Sequence, residues 1–147
     1  LNQWHVTFDD LIPQYEATVE DFLQTPESHF IGFISELEAD KSYFHLDQIE
    51  WLTLDDTERL KELDIKPDEL PNGFYIHNPK SYPMYCEVTQ NTEYSIIDRT
   101  GNAVLKTVTR EEFIKYFEEY SELEFTPPFR VVTKDGYVQS ITEQYVP

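Results

Sequence analysis

The sequence predicts an α+β fold: a mainly antiparallel curled sheet, or a small OB-like barrel, with two helices, preceded by a further N-terminal helix. Three observations predict it. Short segments of alternating apolar and polar residues recur between turn signals. Two tetrads of capping-box type, opening at Thr53 and Thr109, place helices between groups of strands. Aromatic residues make up 15% of the 147 residues, with 10 Tyr, 10 Phe and 2 Trp, enough apolar surface for one buried core.

Taken in order, residues 1–28 read as a helical appendage and residues 29–147 as a single α+β domain. Trp4, Val6 and Phe8 alternate like a short strand. Ile12, Tyr15, Val19, Phe22 and Leu23 then follow at helical spacing, with Asp9 or Asp10 as cap and Pro26 as stop, so a helix is expected over 11–24. The alternation of Ile31, Phe33, Ser35 and Leu37, a turn at Ala39–Ser42, and the alternation of Phe44, Leu46, Gln48 and Glu50 against Tyr43, His45, Asp47, Ile49 and Trp51 predict a hairpin of 30–38 with 42–51. Thr53 and Asp56 form a capping box with Asp in place of Glu, opening a helix over 54–63 whose apolar side is Leu60 and Leu63.

Leu70-Pro71-Asn72-Gly73 is a turn, because Pro presets φ and Asn or Gly accepts a positive φ. Phe74–His77 follows as a strand. Met84–Val88 and Glu93–Asp98 read as two strands, and Ala103–Val108 as a third after the Arg99–Asn102 turn. Thr109-Arg110-Glu111-Glu112 opens a helix with Phe113, Tyr116, Phe117 and Tyr120 on one face, stopped by Pro127-Pro128. Phe129–Lys134 and Tyr137–Thr142 flank Asp135-Gly136, the strongest short hairpin signal.

Charge narrows the functions. Eleven Lys and Arg face 29 Asp and Glu, a net charge of −18, and residues 1–40 contain no Lys or Arg. Phosphate binding draws on basic side chains, so nucleic acid is not an expected partner. Anionic lipid is disfavoured for the same reason. No apolar run approaches the roughly 20 residues of a membrane span. The single cysteine, Cys86, excludes an internal disulfide and any zinc site with two thiolates. It sits inside a strand pattern, the setting of a buried inert thiol. The chain opens at Leu1 without a signal peptide, the start that a removed export signal or trimming leaves.

Three stretches carry a resemblance. They are Asp47-Gln48-Ile49-Glu50-Trp51-Leu52-Thr53, Leu70-Pro71-Asn72-Gly73-Phe74-Tyr75-Ile76-His77-Asn78, and Val138-Gln139-Ser140-Ile141-Thr142-Glu143-Gln144-Tyr145-Val146-Pro147. Their order and spacing over residues 30–147 resemble a group of uncharacterised exported proteins of Firmicutes and Actinobacteria, several of them lipoprotein-like. The resemblance implies a location outside the membrane, extracellular or attached to the Gram-positive cell envelope, with the signal or anchor segment lying outside this chain. It implies no reaction.

The expected function is therefore a non-enzymatic envelope module that binds a protein, peptide or glycan, with no cofactor and no metal. Glu50, Trp51, Tyr75, His77, Asn78, Glu143 and Tyr145 are the candidate ligand-binding residues. Trp51, Tyr75, Tyr82, Tyr85 and Tyr145 supply aromatic contact area for a groove. An alternative makes Glu50 and Glu143, on neighbouring strand ends, the acid and base of an envelope hydrolase. A third reading is a scaffold domain stabilised by calcium through clustered acids such as Asp55-Asp56. No HExxH, phosphate loop, EF-hand or GxSxG pattern is present, and His5, His29, His45 and His77 are dispersed.

Overall fold

The computed structural model describes residues 26–121 and 126–147. The expected strand at Trp4–Phe8, the helix over 11–24 and most of the 1–28 appendage lie outside the described residues.

Alternation decides the first hairpin. In β1 (Ser28–Ser35) and β2 (Tyr43–Gln48), Ile34, Phe44 and Leu46 point inward and are buried, while Tyr43, His45 and Asp47 stay on the outer face. The two strands pair antiparallel, Gly32 opposite Gln48 and Ser35 opposite His45. They meet so closely at Gly32 that a Cβ there would lie 2.2 Å from the Asp47 carbonyl oxygen, so only glycine fits. The hairpin does not run on to Trp51 as expected. After Ile49, whose N–H donates to the Ile31 carbonyl, the chain leaves the barrel. Residues Glu50–Thr53 become β3 and, among the described residues, pair with β4 (Phe74–His77) in a separate two-stranded sheet.

Between β3 and β4 lies helix α1 (Thr57–Glu62), shorter than the expected 54–63. Asp56 explains the late start. Its carboxylate accepts from the Thr53 N–H at 2.7 Å, so residues 53–56 form a closed turn and Asp56 becomes the N-cap. Leu60 packs with Leu52 and Leu70 in a small second core, with Leu63, Ile65 and Tyr75 at its edge. The Leu70–Gly73 turn forms as expected. Gly73 donates to the Leu70 carbonyl at 3.0 Å, and the positive φ, +85°, falls on Gly73.

The two strands expected at 84–88 and 93–98 are one, β5 (Pro83–Asp98), of 16 residues. A register shift between Val88 and Glu93 bends it without ending it. Thr92 holds the bend: its hydroxyl donates to the Val138 carbonyl at 2.7 Å and accepts from the Thr89 N–H at 2.9 Å. The first half of β5 pairs with β2 and the second with β6 (Val104–Val108). Helix α2 (Arg110–Ser121) follows, then β7 (Phe129–Lys134) and β8 (Tyr137–Glu143). Asp135 and Gly136, at φ +55° and +85°, make the tight turn that the sequence signals.

Five strands close on one another in the order β1-β2-β5-β8-β7, β7 returning to β1, while β6 extends β5 outside the ring. Every pairing is antiparallel except β5 with β8. The result is the α+β, OB-like small barrel that the sequence predicts. Its interior holds Phe44, Leu46, Phe129, Val131, Val138 and Ile141, each nearly inaccessible to solvent. Phe113 of α2 closes one end, with ring centroids 5.0 Å from Tyr94 and 5.5 Å from Phe129. Tyr116 and Phe117 pack at the edge of this core as their spacing requires; the Tyr120 side chain is outside the described set. Among the described residues no helix is long and apolar enough to cross a membrane.

Candidate functional site

The outer wall of the barrel carries a row of aromatic side chains. Period-two alternation that buries Phe44, Leu46 and Cys86 leaves Tyr43, His45 and Tyr85 on the opposite face. Strand pairing sets His45 directly across from Tyr85. The Tyr43 and Tyr85 rings stack with centroids 5.1 Å apart and 27° between planes, and His45 meets both edge-on. Tyr85 is 55% exposed. Tyr137 of β8, also exposed, stands opposite Glu87, next along β5. Lys41 sits 5.6 Å from the Tyr43 ring centre and pairs with Glu38. His45 Nδ1 lies 2.6 Å from a Glu36 oxygen. Burial against its neighbours, then the Glu87 carboxylate, pushes the Tyr85 phenol above its ordinary pKa, so it is neutral and donating at neutral pH.

Asp47 continues this face toward a second cluster. Its two oxygens accept from Asn78 Nδ2 at 3.1 Å and the Tyr82 N–H at 3.2 Å, which ties the 78–82 loop to the end of β2. Beyond it Glu50, Arg59, His77, Asn78, Lys80 and Tyr82 line a cleft of about 340 Å³ between the barrel and the small sheet. Glu50 stands opposite His77 in the β3–β4 register. Arg59 clamps Glu50 with both Nε, at 2.9 Å, and Nη2, at 2.6 Å, and reaches Glu62 with Nη1. These bonds hold the Glu50 carboxyl below its ordinary value. A carboxylate so held is a poor proton donor near neutral pH.

The candidates from sequence therefore divide. Glu50, His77 and Asn78 converge with Tyr82 on the cleft, and Tyr85 joins the aromatic row. Trp51 turns to the other face of the small sheet, stacked on Phe74 at 4.5 Å with 1° between planes. Tyr75 packs on the Leu52, Leu60 and Leu70 core. Glu143 and Tyr145 line a different depression, with Arg130 and Leu105. Sequence reasoning missed Tyr43, His45 and Tyr137 as partners of Tyr85. Their outward phase on β2 and β8 was readable, but the β2–β5 and β5–β8 pairings that unite them are long-range.

Glu50 and Glu143 do not occupy neighbouring strand ends. β3 pairs with β4 alone, while β8 lies between β5 and β7, because the chain leaves the barrel at Ile49. Glu143 is an internal anchor, its side chain fully buried. Its carboxylate accepts from the Ile97 N–H at 3.0 Å, from Arg99 Nη2 at 2.6 Å and from the Tyr116 hydroxyl. It binds β8 to the end of β5 and to α2.

Cys86 is buried, and that burial raises its thiol to about 11, leaving it protonated and inert at neutral pH. Among the described residues no three His, Cys, Asp or Glu side chains gather as a metal site. Asp56 is engaged by Thr53. Comparison with family models, with curated proteins and with solved structures found no match.

Proposed function

We propose that this chain is a non-catalytic binding module of the cell envelope, exported and working outside the membrane. It recognises a protein, peptide or glycan with the outer β2–β5 face. The observation that carries this reading is the outward-facing Tyr43–His45–Tyr85 cluster, in which Tyr85 is exposed and Tyr43 and His45 are half-buried. Such rings offer rigid contact area at low entropic cost, each with a polar tip. The surface continues past Asp47 to the Glu50–His77 cleft, so an extended ligand has polar groups to read at one end. The three stretches shared in pattern with exported envelope proteins support the location.

The test is a titration of the ¹⁵N-labelled chain with soluble peptidoglycan fragments, neutral envelope glycans and envelope-derived peptides. Saturable shifts confined to β2, β5 and the 78–82 loop, and lost in Tyr43→Ala/Tyr85→Ala, are expected. Turnover of any of these compounds, or shifts that the double variant retains, would overturn the reading.

A further inference from the structure

A cavity of about 550 Å³ opens elsewhere on the molecule, where the end of the β1–β2 loop, the bend in β5 and the first turn of α2 meet. Ser42, Thr89, Thr92, Tyr94, Thr109 and Arg110 line it. Its volume is that of a small-molecule site. Two of its polar atoms are anomalous. Tyr94 is only 4% exposed, and among the described residues its buried hydroxyl has no hydrogen-bond partner. Arg110 Nε is buried and equally unpartnered. Buried polar groups are nearly always satisfied, because an unmet donor forfeits its hydration with no return.

The surroundings indicate what kind of partner is missing. Arg110 spends Nη2 on neutral acceptors, the backbone carbonyls of Lys41 and Glu38. Among the described residues no carboxylate lies within ion-pair distance of it, although acids outnumber bases in the chain 29 to 11. Burial raises the Tyr94 phenol, so it remains an O–H donor at neutral pH, and the Arg110 charge acts on the same ring. Arg110 also opens a 12-residue helix, whose N-terminal end favours negative charge. Thr109 and Glu112 satisfy each other's backbone amides there at 3.2 Å; the first-turn amides of Arg110 and Glu111 have no intrahelical acceptor. Donors from β5 and α2 thus border one cavity, and the Arg110 guanidinium beside it has no carboxylate at ion-pair distance among the described residues.

We propose that this cavity binds a small hydroxylated monocarboxylate of the sugar-acid class. Its carboxylate accepts from Arg110 Nε and the Tyr94 hydroxyl, and its hydroxyls meet Ser42, Thr89 and Gln90 at the mouth. Both donors are screened from solvent, so engagement takes a rotamer shift of Arg110, the more exposed of the two residues. A single charge is specified because Glu111 acts on Tyr94 from the rim, and a net −18 repels polyanions.

The test is a thermal-shift and ¹⁵N titration of the whole chain with D-glucuronate, with glucose and acetate as controls. Glucuronate should raise Tm saturably and move the Tyr94 and Arg110 amides. Glucose should do neither, and acetate should act more weakly at the same amides. Arg110→Gln should weaken glucuronate at least tenfold. Tyr94→Phe should weaken it several-fold while folding at least as stably as the parent, since the hydroxyl removed has no partner among the described residues. If Arg110→Gln fails to fold, Tyr94→Phe decides. An equal response to glucose, no saturable response to either acid, or a Tm loss of several degrees in ligand-free Tyr94→Phe would overturn the proposal.

Discussion

The barrel and the small β3–β4–α1 unit are built from the same kinds of residue, yet they are held together differently. Among the described residues the barrel core gathers fourteen buried side chains from the five closed strands, the β1–β2 loop and α2. Among the described residues the core of the small unit fully buries Leu52, Leu60 and Leu70. Polar links at its boundaries supplement this core: Asp56 on the Thr53 amide, Glu69 on the Lys66 amide at 2.6 Å, and Arg59 between Glu50 and Glu62. Closure leaves the barrel strands few free edges, whereas a two-stranded sheet is marginal by itself. The difference teaches that here hydrophobic burial sets global stability while local polar chemistry shapes the appendage that borders the cleft.

The largest effect that sharpens this contrast is expected at Phe113. Removing a ring with no exposed surface that touches Tyr94 and Phe129 should cost about 3–5 kcal/mol and lower the whole unfolding transition. Urea denaturation checks it, and an unchanged midpoint would take α2 out of the core. Phe117, half-buried at the same edge, should cost less.

Glu143 comes next. Glu143→Ala strands Arg99, Tyr116 and the Ile97 amide at once, a loss of about 3 kcal/mol for a broken buried pair. Glu143→Gln should recover part of it, because an amide oxygen still accepts. Equal loss in both variants would mean that the charge, not the hydrogen bonding, holds β8 to β5 and α2.

Leu60→Ala should act on the small unit alone. About 2–3 kcal/mol of local stability is at stake, seen as faster hydrogen exchange at β3, β4 and α1 amides with barrel amides unchanged. Uniform acceleration across the chain would show that the two regions unfold as one.

The smallest effect is the acid limb of the Glu50–Arg59 pair. The folded Glu50 pKa is depressed below 4.5, so its contribution is complete above about pH 4.5 and is lost as pH falls through the lower folded value. Both side chains are about 40% exposed, so solvent screening keeps the pair's contribution small. Glu50→Gln should flatten that part of the stability–pH curve, and local exchange in the small unit is where it should register.

Much of the fold was legible in local pattern. Asp135-Gly136, the Leu70–Gly73 turn and the Thr109–Glu112 capping box depend on two to four consecutive residues, and each forms where the sequence puts it. The spacing of Phe113, Tyr116 and Phe117 likewise settles which side of α2 meets the core. The candidate site was half legible. His77 ends β4 and Asn78 follows it directly, and Tyr85 alternates outward on its strand, so local phase found them.

What only tertiary structure decided are events between distant segments. Glu50–Thr53 alternates as well as Tyr43–Gln48 does, and only the closure of β1 and β2 against β5 and β7 expels it to pair with β4. Residues 89–92 read as a break, yet Thr92 bridges to Val138, 46 residues away, and keeps β5 whole. Glu143 read as a ligand-binding or catalytic candidate, and nothing local showed that β8, running parallel to β5, would bring Ile97, Arg99 and Tyr116 around it. The orphaned hydroxyl of Tyr94 beside Arg110 was equally invisible. Periodicity reports which face a side chain takes; which segments share that face is fixed by chain closure over long sequence separations, for which local pattern carries no signal.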